Sequence, residues 1–286
     1  MKECIRLEKV SHIYMPDSPF EKKSLEEVSF SVETGEFLGI IGHTGSGKST
    51  LIQMFNGLLY PTSGKVFVNG QEIHESKESR KKARRSVGIV FQYPEYQLFE
   101  ETVYRDIAFG PQNLGLSPEE VKRNVLEAAE LVELPRAILE KSPFDLSGGQ
   151  KRRAAIAGVL AMKPGILVLD EPVAGLDPKA RKRVLEQISR LHQGSGITVI
   201  MVSHSMEDVA KYAKRILVMN EGKVAYLDTP REIFQHRKEI TKMGLSVPQV
   251  SKLVQHLKER GIEVDPYAIT VEEAAKTILS CMEKKQ

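Results

Sequence analysis

The chain has 286 residues, 41% of them hydrophobic and 28% charged, so it can bury one large core or two modest ones. Its 41 Lys and Arg residues against 38 Asp and Glu leave a formal net charge of +3, which gives no indication of a nucleic-acid partner. The two cysteines, Cys4 and Cys281, show no metal-ligand spacing, and no apolar stretch reaches the roughly 18 residues of a membrane span. We therefore expect a cytoplasmic globular protein.

The N-terminal third is predicted to be rich in β-structure. Five short apolar runs, separated by glycine-rich or polar turns, indicate strands at residues 5–10, 28–32, 37–41, 65–68 and 87–91. From Ser117 the apolar period becomes helical, with Ser117 as N-cap, Pro118 at the first helical position and Glu120 as the acid of a capping box. We expect a helical subdomain over about residues 93–160, inserted into a domain that spans residues 1–230.

The second half of the chain predicts an α/β domain followed by a helical tail. Near-continuous apolar strands at residues 166–169 and 198–202 flank a helix that starts at Pro178, which is the β-α-β order of a buried parallel sheet. After about residue 230, two amphipathic helices follow, the second opening with the capping box Thr270-x-x-Glu273. Residues 231–286 are therefore expected to form a small separate module.

A glycine-rich segment between the strand at residues 37–41 and a predicted helix fits the pattern GxxxxGK[ST]. It reads Gly42-His43-Thr44-Gly45-Ser46-Gly47-Lys48-Ser49. In this pattern backbone N–H groups surround a phosphate, Lys48 contacts the β- and γ-phosphates, Ser49 binds Mg²⁺, and we expect Thr50 to add a phosphate contact. The segment predicts a P-loop NTPase core that binds a nucleoside triphosphate and Mg²⁺, without selecting a class of NTPase.

Two neighbouring carboxylates, Asp170 and Glu171, follow the buried strand at residues 166–169, at the strand end where open α/β sheets bind ligands. We expect Asp170 to hold Mg²⁺ and Glu171 to polarise the water that attacks the γ-phosphate. His204 follows the strand at residues 198–202 and is expected at the same edge, near the γ-phosphate. Asp177 is also a good N-cap for the helix that starts at Pro178.

The segment Leu146-Ser147-Gly148-Gly149-Gln150 precedes an apolar helix, and its Ser and Gln form a capping box. Two glycines in a first helical turn cost roughly 1 kcal/mol each relative to alanine, so they suggest a ligand that approaches the backbone closely. A phosphate at this second helix N-terminus would explain them.

With these motifs in this order, the sequence resembles the ATP-binding cassette family over about residues 4–230; LSGGQ is the signature motif of that family. The resemblance implies a P-loop core with an antiparallel β subdomain and a helical signature subdomain. It also implies that the signature residues Ser147, Gly148, Gly149 and Gln150 contact ATP held by a second ATPase subunit.

The same resemblance assigns roles to single residues. It implies that Gln92 links the metal to a membrane partner, that Glu171 is the general base, that Asp177 lies at the dimer seam and that His204 is a switch histidine. Tyr14 resembles the aromatic residue that stacks on adenine, although an exposed loop tyrosine is an equally good interpretation.

Several stretches resemble the energy-coupling-factor transporters more narrowly, namely residues 6–14, 90–103, 108–113 and the two-helix tail that begins near Val247. The N-terminal segment, residues 6–14, is similar to that of the second of the paired ATPases of that family. This resemblance implies a peripheral protein at the cytoplasmic face of the membrane, paired with a second ATPase through its tail, an integral membrane subunit and a substrate-binding membrane subunit. The expected function is ATP-driven uptake of vitamins or other micronutrients.

Other interpretations stay open at this stage. The chain could serve another ABC importer, for example one for cobalt or nickel, or act as a soluble ABC ATPase in DNA repair or translation. It could also be a nucleotide-binding regulator without turnover, which Glu171 disfavours. The aromatic segment that contains Tyr93, Tyr96, Leu98 and Phe99 fits either core packing or a dock for a helix of a membrane protein.

Overall fold

The structure is a computed structural model, and it describes residues 2–283. The strands are β1 Glu3–Tyr14, β2 Lys22–Glu33, β3 Phe37–Gly42, β4 Ser63–Val68, β5 Gln71–Glu72, β6 Val87–Val90, β7 Ile166–Asp170, β8 Thr198–Val202, β9 Arg215–Asn220 and β10 Lys223–Asp228. The α-helices are α1 Lys48–Met54, α2 Lys77–Ser86, α3 Val103–Asn113, α4 Pro118–Leu131, α5 Gly148–Leu160, α6 Pro178–Ser195, α7 Met206–Tyr212, α8 Pro230–Ile233, α9 Arg237–Lys242, α10 Gln249–Glu259 and α11 Val271–Glu283.

A six-stranded sheet in the order β10-β9-β3-β8-β7-β6 separates two apolar layers, and all its pairings are parallel except β9 with β10. Alternate residues of each strand face opposite layers: Leu167 and Leu169 join one core cluster, and Ile166 and Val168 join the other. Because both faces are covered, the central strands are apolar at nearly every position. This arrangement confirms the predicted buried parallel sheet.

A second, antiparallel sheet in the order β2-β1-β4-β5 covers one face of the six-stranded sheet. Its inward residues, including Leu7 and Val66, share a core cluster with Leu38 and Ile40 of β3. The predicted strands of this region are present, and β1 and β2 extend several residues beyond the predicted bounds because their polar ends continue the ladder.

Helices α3, α4 and α5 pack against one another on the other face, as the predicted helical subdomain. The capping box at the start of α4 is formed: Ser117 accepts the Glu120 N–H, and the Glu120 carboxylate accepts the Ser117 N–H at 2.9 Å. The α/β fold class, with its antiparallel and helical subdomains, is therefore confirmed.

The C-terminal helices α10 and α11 enclose a small cluster of their own, in which Val254, Val264, Ala268 and Ala274 are buried. The capping interaction of α11 is shifted by one residue: Thr270 accepts the Glu273 N–H, while the Glu273 carboxylate accepts the N–H of Ile269 at 2.8 Å. Residues between α8 and α10, among them Phe234 and Leu245, instead pack into the core of the nucleotide-binding domain.

No helix within residues 2–283 is both long and apolar enough to cross a membrane.

An imidazole in the segment between β5 and α2 has no hydrogen-bond partner among the described residues. Both ring nitrogens of His74 are buried and unpaired among the described residues, and its ring packs on Tyr60 with centroids 4.6 Å apart. Burial lowers the pKa of His74 below its ordinary value, the positive charge of Arg80 lowers it further, and Glu72 opposes the change. The folded protein therefore disfavours the protonated imidazole.

We predict that His74→Phe removes part of the acid sensitivity of folding. A histidine whose pKa is lowered by folding costs no stability above its ordinary pKa of 6.5 and increasingly destabilises the fold as the pH falls below it. The free energy of unfolding, measured with urea between about pH 8 and pH 5, should therefore fall less steeply in the variant. His256→Gln, on the exposed side of α10, is the control and should follow the wild type. Parallel pH profiles for wild type and His74→Phe would contradict the prediction.

Candidate active site

The phosphate loop connects the fully buried strand β3 to α1, and its shape requires glycine at two positions. Gly47 has φ +100°, and a Cβ there would lie 2.5 Å from the carbonyl oxygen of Ser24. A Cβ at Gly42 would lie 2.5 Å from the carbonyl oxygen of Met219. The loop therefore packs against β2 and β9 with no room for a side chain at Gly42 or Gly47, and this contact fixes the loop backbone relative to the sheet.

Lys48 lies at the centre of this loop. Its ammonium group donates to the carbonyl oxygens of Gly42 at 2.7 Å and His43 at 3.0 Å. Burial lowers the pKa of Lys48, while the negative charges of Glu171 and Asp170 act in the opposite direction. The cation is thus held in a desolvated position beside two carboxylates.

Asp170 ends β7 and faces the phosphate loop. Its Oδ2 accepts the hydroxyl of Ser49 at 3.4 Å. Burial raises the pKa of Asp170, repulsion by Glu171 raises it further, and Ser49, Lys48 and His204 lower it. Such a carboxylate gains from a cation, because a positive charge offsets both its desolvation and the neighbouring negative charge.

Glu171 has a left-handed backbone, with φ +49°. The conformation is held from both sides, since its N–H donates to Val202 at 3.1 Å and its carbonyl oxygen accepts the N–H of Ala174 at 3.1 Å. The side chain is directed to His204, whose Nε2 lies 2.8 Å from Oε1 of Glu171. The structure therefore brings these two predicted residues into direct contact at the sheet edge.

Gln92 lies at the same edge. Residue Val90 ends β6 directly opposite Leu169 of β7, so Gln92 and Glu171 each stand two residues beyond the paired positions. The Gln92 side chain is exposed and makes no hydrogen bond to any other residue in the range 2–283. Its predicted link to a metal thus stays a prediction.

A cavity continues from the phosphate loop to the end of β1 and ends at Tyr14. Its lining residues are Tyr14, Lys22, Ser24, Gly45, Gly47, Lys48, Ser49 and Thr50. The hydroxyl of Tyr14 lies 3.1 Å from that of Thr50, and its ring meets the ring of His12 edge-on at 4.5 Å between centroids. The ring is therefore held at one end of the phosphate cavity, where a base attached to the phosphates could reach it.

The remaining loop residues differ in their exposure to solvent. Ser46 is buried, whereas Thr44 and Gly45 are exposed at the opening, and His43 turns back so that Nδ1 lies 2.8 Å from the Thr44 carbonyl oxygen. Lys22 and Ser24 line the same cavity and were not predicted from the sequence. An alternating strand pattern carries no sign of which outward residues face a ligand, and β2 reaches the loop only through tertiary packing.

The signature segment lies apart from that cavity. Ser147, Gly148 and Gly149 are exposed, and a Cβ on either glycine would meet nothing within 4 Å. The capping box of α5 is formed, because Ser147 accepts the Gln150 N–H at 3.4 Å and Gln150 accepts the Ser147 N–H at 3.0 Å. The glycines are thus unnecessary for packing within this chain, and their surface is free to meet another molecule.

Asp177 also has a structural role. Its carboxylate caps α6 by accepting the N–H groups of Lys179 and Ala180, each at 3.0 Å. The second Oδ atom makes no hydrogen bond within residues 2–283, so the cap leaves one acceptor available.

Comparison with known proteins agrees with this geometry. A family model described as "ABC transporter" matches residues 25–174. The energy-coupling factor transporter ATP-binding protein EcfA2 of Caldanaerobacter subterraneus subsp. tengcongensis is 54% identical over 275 residues, which cover 96% of each chain. The chain belongs to the ABC transporter family. The protein of the same name from Clostridium perfringens is 52% identical to this ABC ATPase, covering 96% of this chain and 97% of its own.

Solved structures share the same fold. The cbiO1 protein of Clostridium perfringens, described as part of the ABC transporter complex cbiONQ, aligns with a TM-score of 0.75 and 35% identity, covering 91% of this chain and all of its own. The ATP-binding cassette MJ0796, solved as a dimer bound to ADP and Pi, aligns with a TM-score of 0.70 and 29% identity over 79% of this chain and 98% of its own. Together these relatives establish an ABC-type ATPase fold that binds ATP.

We predict that Tyr14→Ala weakens ATP binding about tenfold, because stacking of a base on an aromatic ring contributes on the order of 1–3 kcal/mol. Tyr14→Phe keeps the ring and loses only the contact with Thr50, so its dissociation constant should change by less than about threefold. Isothermal titration of the purified protein with ATP measures both effects. Tyr96→Ala, at an exposed tyrosine outside the cavity, is the control. Unchanged binding in Tyr14→Ala would show that this residue, at the end of β1, makes no contact with the base.

Proposed function

We propose that this chain is an ATP-hydrolysing subunit of an energy-coupling-factor transporter that powers uptake of a vitamin or another micronutrient. The observation that carries the proposal is the identity of about half of all residues with EcfA2 proteins over nearly the whole chain. The match includes the tail beyond residue 230, which lies outside the general ABC transporter match at residues 25–174. The chain would sit peripherally at the cytoplasmic face of the membrane.

Two ATPase subunits would form each complete site. Within one chain, the exposed segment Ser147–Gly149 does not line the cavity at the phosphate loop. It would instead cover ATP that is bound to the phosphate loop of the other subunit. A helix N-terminus with two glycines can approach a γ-phosphate closely. Closure driven by ATP and reopening after hydrolysis would then be transmitted to the membrane subunits.

The donor set fits Mg²⁺. The hydroxyl of Ser49 and the carboxylate of Asp170 are hard oxygen ligands that lie together, and Mg²⁺ in nucleotide sites is held by one or two such groups together with phosphates and water. Gln92 at the same edge would add an amide oxygen. The ion would neutralise charge on the phosphates, while Lys48 and the loop N–H groups hold the phosphates in position.

Glu171 would act as the general base. Its carboxylate stands one residue beyond Asp170, and His204 holds it at 2.8 Å. A carboxylate there can accept a proton from water placed in line with the γ-phosphate, and His204 can donate a hydrogen bond to the phosphate or keep the carboxylate oriented. Asp177 would contribute at the seam between the two subunits.

We predict that Glu171→Gln lowers the ATPase rate of the assembled membrane complex by at least about 100-fold, since general-base catalysis contributes typically 10²–10⁴-fold. ATP binding should persist, because the amide keeps the shape and no contact to the phosphate loop is lost. Glu221→Gln is the matched control: Glu221 also has a left-handed backbone, φ +48°, but lies in the turn between β9 and β10. Equal ATPase rates for wild type and Glu171→Gln would instead support a nucleotide-binding regulator without turnover.

The membrane subunit would dock near the segment after Gln92. Leu98 is buried and belongs to the core, as the core-packing interpretation expects, whereas Tyr93, Tyr96 and Phe99 are exposed and would form the dock. Phe99 meets Phe109 edge-on at 5.0 Å between centroids. These rings border an apolar groove between the segment, α3 and α5, which fits a cytoplasmic helix of a membrane protein.

The tail would pair with the tail of the second ATPase. Helix α11 turns Ala274 and Cys281 inward, while Val271, Leu279 and Met282 remain exposed along one face. An apolar helix face of this kind gains free energy when a second protein covers it.

We predict that the double variant Leu279→Asp/Met282→Asp weakens association of the two ATPase subunits at least about tenfold, because burial of one such side chain contributes roughly 1.5–3 kcal/mol. Sedimentation of the purified ATPase pair without nucleotide gives the dissociation constant. Ser280→Asp introduces one carboxylate outside this face and should leave association unchanged. If the double variant associates like the wild type, the tail does not form the interface.

A further inference from the structure

Arg152 is buried although the sequence places it in the basic run Lys151-Arg152-Arg153 near the start of α5. Its residue is 2% exposed, and it is among the largest fully buried side chains in the described range. Its two basic neighbours in the run remain accessible to solvent. A charged side chain is rarely this deeply buried unless its donors are paired.

The guanidinium of Arg152 joins three segments of the chain. Toward the segment after Gln92 it makes a two-pronged pair with Glu95, Nε to Oε2 at 3.0 Å and Nη2 to Oε1 at 2.8 Å. Toward the turn after Glu171, Nη1 donates to the carbonyl oxygens of Pro172 at 3.3 Å and Ala174 at 2.8 Å. The third segment is its own helix, α5, which begins with the signature residues.

A buried ion pair is a weak source of stability, because desolvation of both charges offsets most of their attraction. Its directional geometry is the more useful property, since a planar guanidinium fixes two acceptors along defined directions at once. A lysine could supply the charge at this position, but its single nitrogen could not reach Glu95 and both carbonyls in the same way.

The two carbonyls lie in the turn that carries the proposed base. Pro172 is the next residue after Glu171, and the Ala174 N–H closes the turn on the Glu171 carbonyl at 3.1 Å. The left-handed conformation of Glu171 is unfavourable for a residue with a side chain and persists only when its neighbours hold it. Arg152 binds this turn at the residues on both sides of Val173, while the N–H of Glu171 is bound separately to Val202.

We propose that Arg152 is a positioning residue: paired with Glu95, it holds the turn after Glu171 in the arrangement that hydrolysis requires and ties this turn to the signature helix. The inference rests on the proposed role of Glu171. Arg152 itself makes no contact with the phosphate cavity.

The same pair reaches the proposed docking surface. In the sequence Glu95 lies between Tyr93 and Tyr96, and residue Tyr96 is 84% exposed. The Tyr93 ring lies beside Gly175, 3.7 Å from the place of a Cβ on that glycine. A membrane partner that displaces these tyrosines would therefore also displace Glu95 and Arg152, and through them the turn after Glu171.

The test measures kcat and KM for ATP in the intact transporter complex that contains this subunit. Arg152→Lys keeps the positive charge but loses the two-pronged pair with Glu95 and the simultaneous bonds to the two carbonyls. The double variant Arg152→Gln/Glu95→Gln removes both charges together, so no unpaired buried charge is left to unfold the protein, and its shorter side chain at residue 152 does not reach the carbonyls. In both variants we expect kcat to fall about tenfold, equivalent to about 1.4 kcal/mol in the barrier, with KM within about twofold of wild type.

The matched control is Glu133→Gln, which breaks the 2.9 Å pair between Glu133, after α4, and Arg190 of α6. It should leave kcat unchanged. Rates are normalised to the ATP-binding sites titrated in each sample, so that loss of folded protein does not count as loss of turnover.

Wild-type kcat in the double variant would overturn the inference, as would a rise in KM that accounts for the whole loss of activity. Glu171→Gln is measured in parallel. If it is inactive while the Arg152 variants turn over normally, only this inference fails. If it is as active as the wild type, the role of Glu171 and the positioning role of Arg152 fail together.

Discussion

The hydrogen-bond ladder of the parallel strands β3, β6, β7 and β8 brings the candidate groups for ATP chemistry to one edge. Its register sets Val90 opposite Leu169 and Asp170 opposite Val202, so residues far apart in sequence end at the same level. The phosphate loop, Asp170, Glu171 and His204 are all placed by where these strands stop. A shift of one strand by one residue would separate Glu171 from His204 and turn its apolar residues to the opposite faces.

The edge also holds a conformation that an isolated peptide would avoid. Glu171 has positive φ although it carries a side chain, and its N–H bond to Val202 helps to hold the turn; Gly47 also has positive φ, which glycine adopts freely, and the neighbouring Ser24 carbonyl leaves no room there for a Cβ. The central sheet supplies the rigidity for both. Strain of this kind is tolerated where the surrounding core fixes the geometry, and it is common at catalytic sites.

Local patterns in the sequence were sufficient to predict the fold class, the parallel sheet, the helical insertion and the phosphate loop. They succeeded because apolar period, glycine spacing and capping residues act over a few residues, as in the box at Ser117. The antiparallel pair β9 and β10 went unpredicted, although β9 has the same apolar run as the buried parallel strands; β10 is only partly buried, so its pattern is weaker.

The burial of Arg152 was equally inaccessible to sequence reasoning. The run Lys151-Arg152-Arg153 has the composition of a solvent-exposed basic segment. Only the packing of α5 against the segments after Gln92 and Glu171 distinguishes Arg152 from its two neighbours. Lys22 and Ser24 are a similar case, because they lie beside the phosphate loop only through the packing of the antiparallel sheet, which contains β2, against the six-stranded sheet. Contacts between distant segments carry no local signal, so they had to come from three-dimensional structure.

The two carbonyl oxygens that accept the Lys48 ammonium have a consequence for selectivity among small molecules. They keep the cation dehydrated and in place before any nucleotide arrives, so entry of a triphosphate replaces neutral acceptors with anionic ones and needs little rearrangement. A nucleoside without phosphates offers no such exchange. It would be left with the aromatic end of the cavity alone, and adenosine should therefore compete poorly with ATP even at concentrations at which ADP competes well.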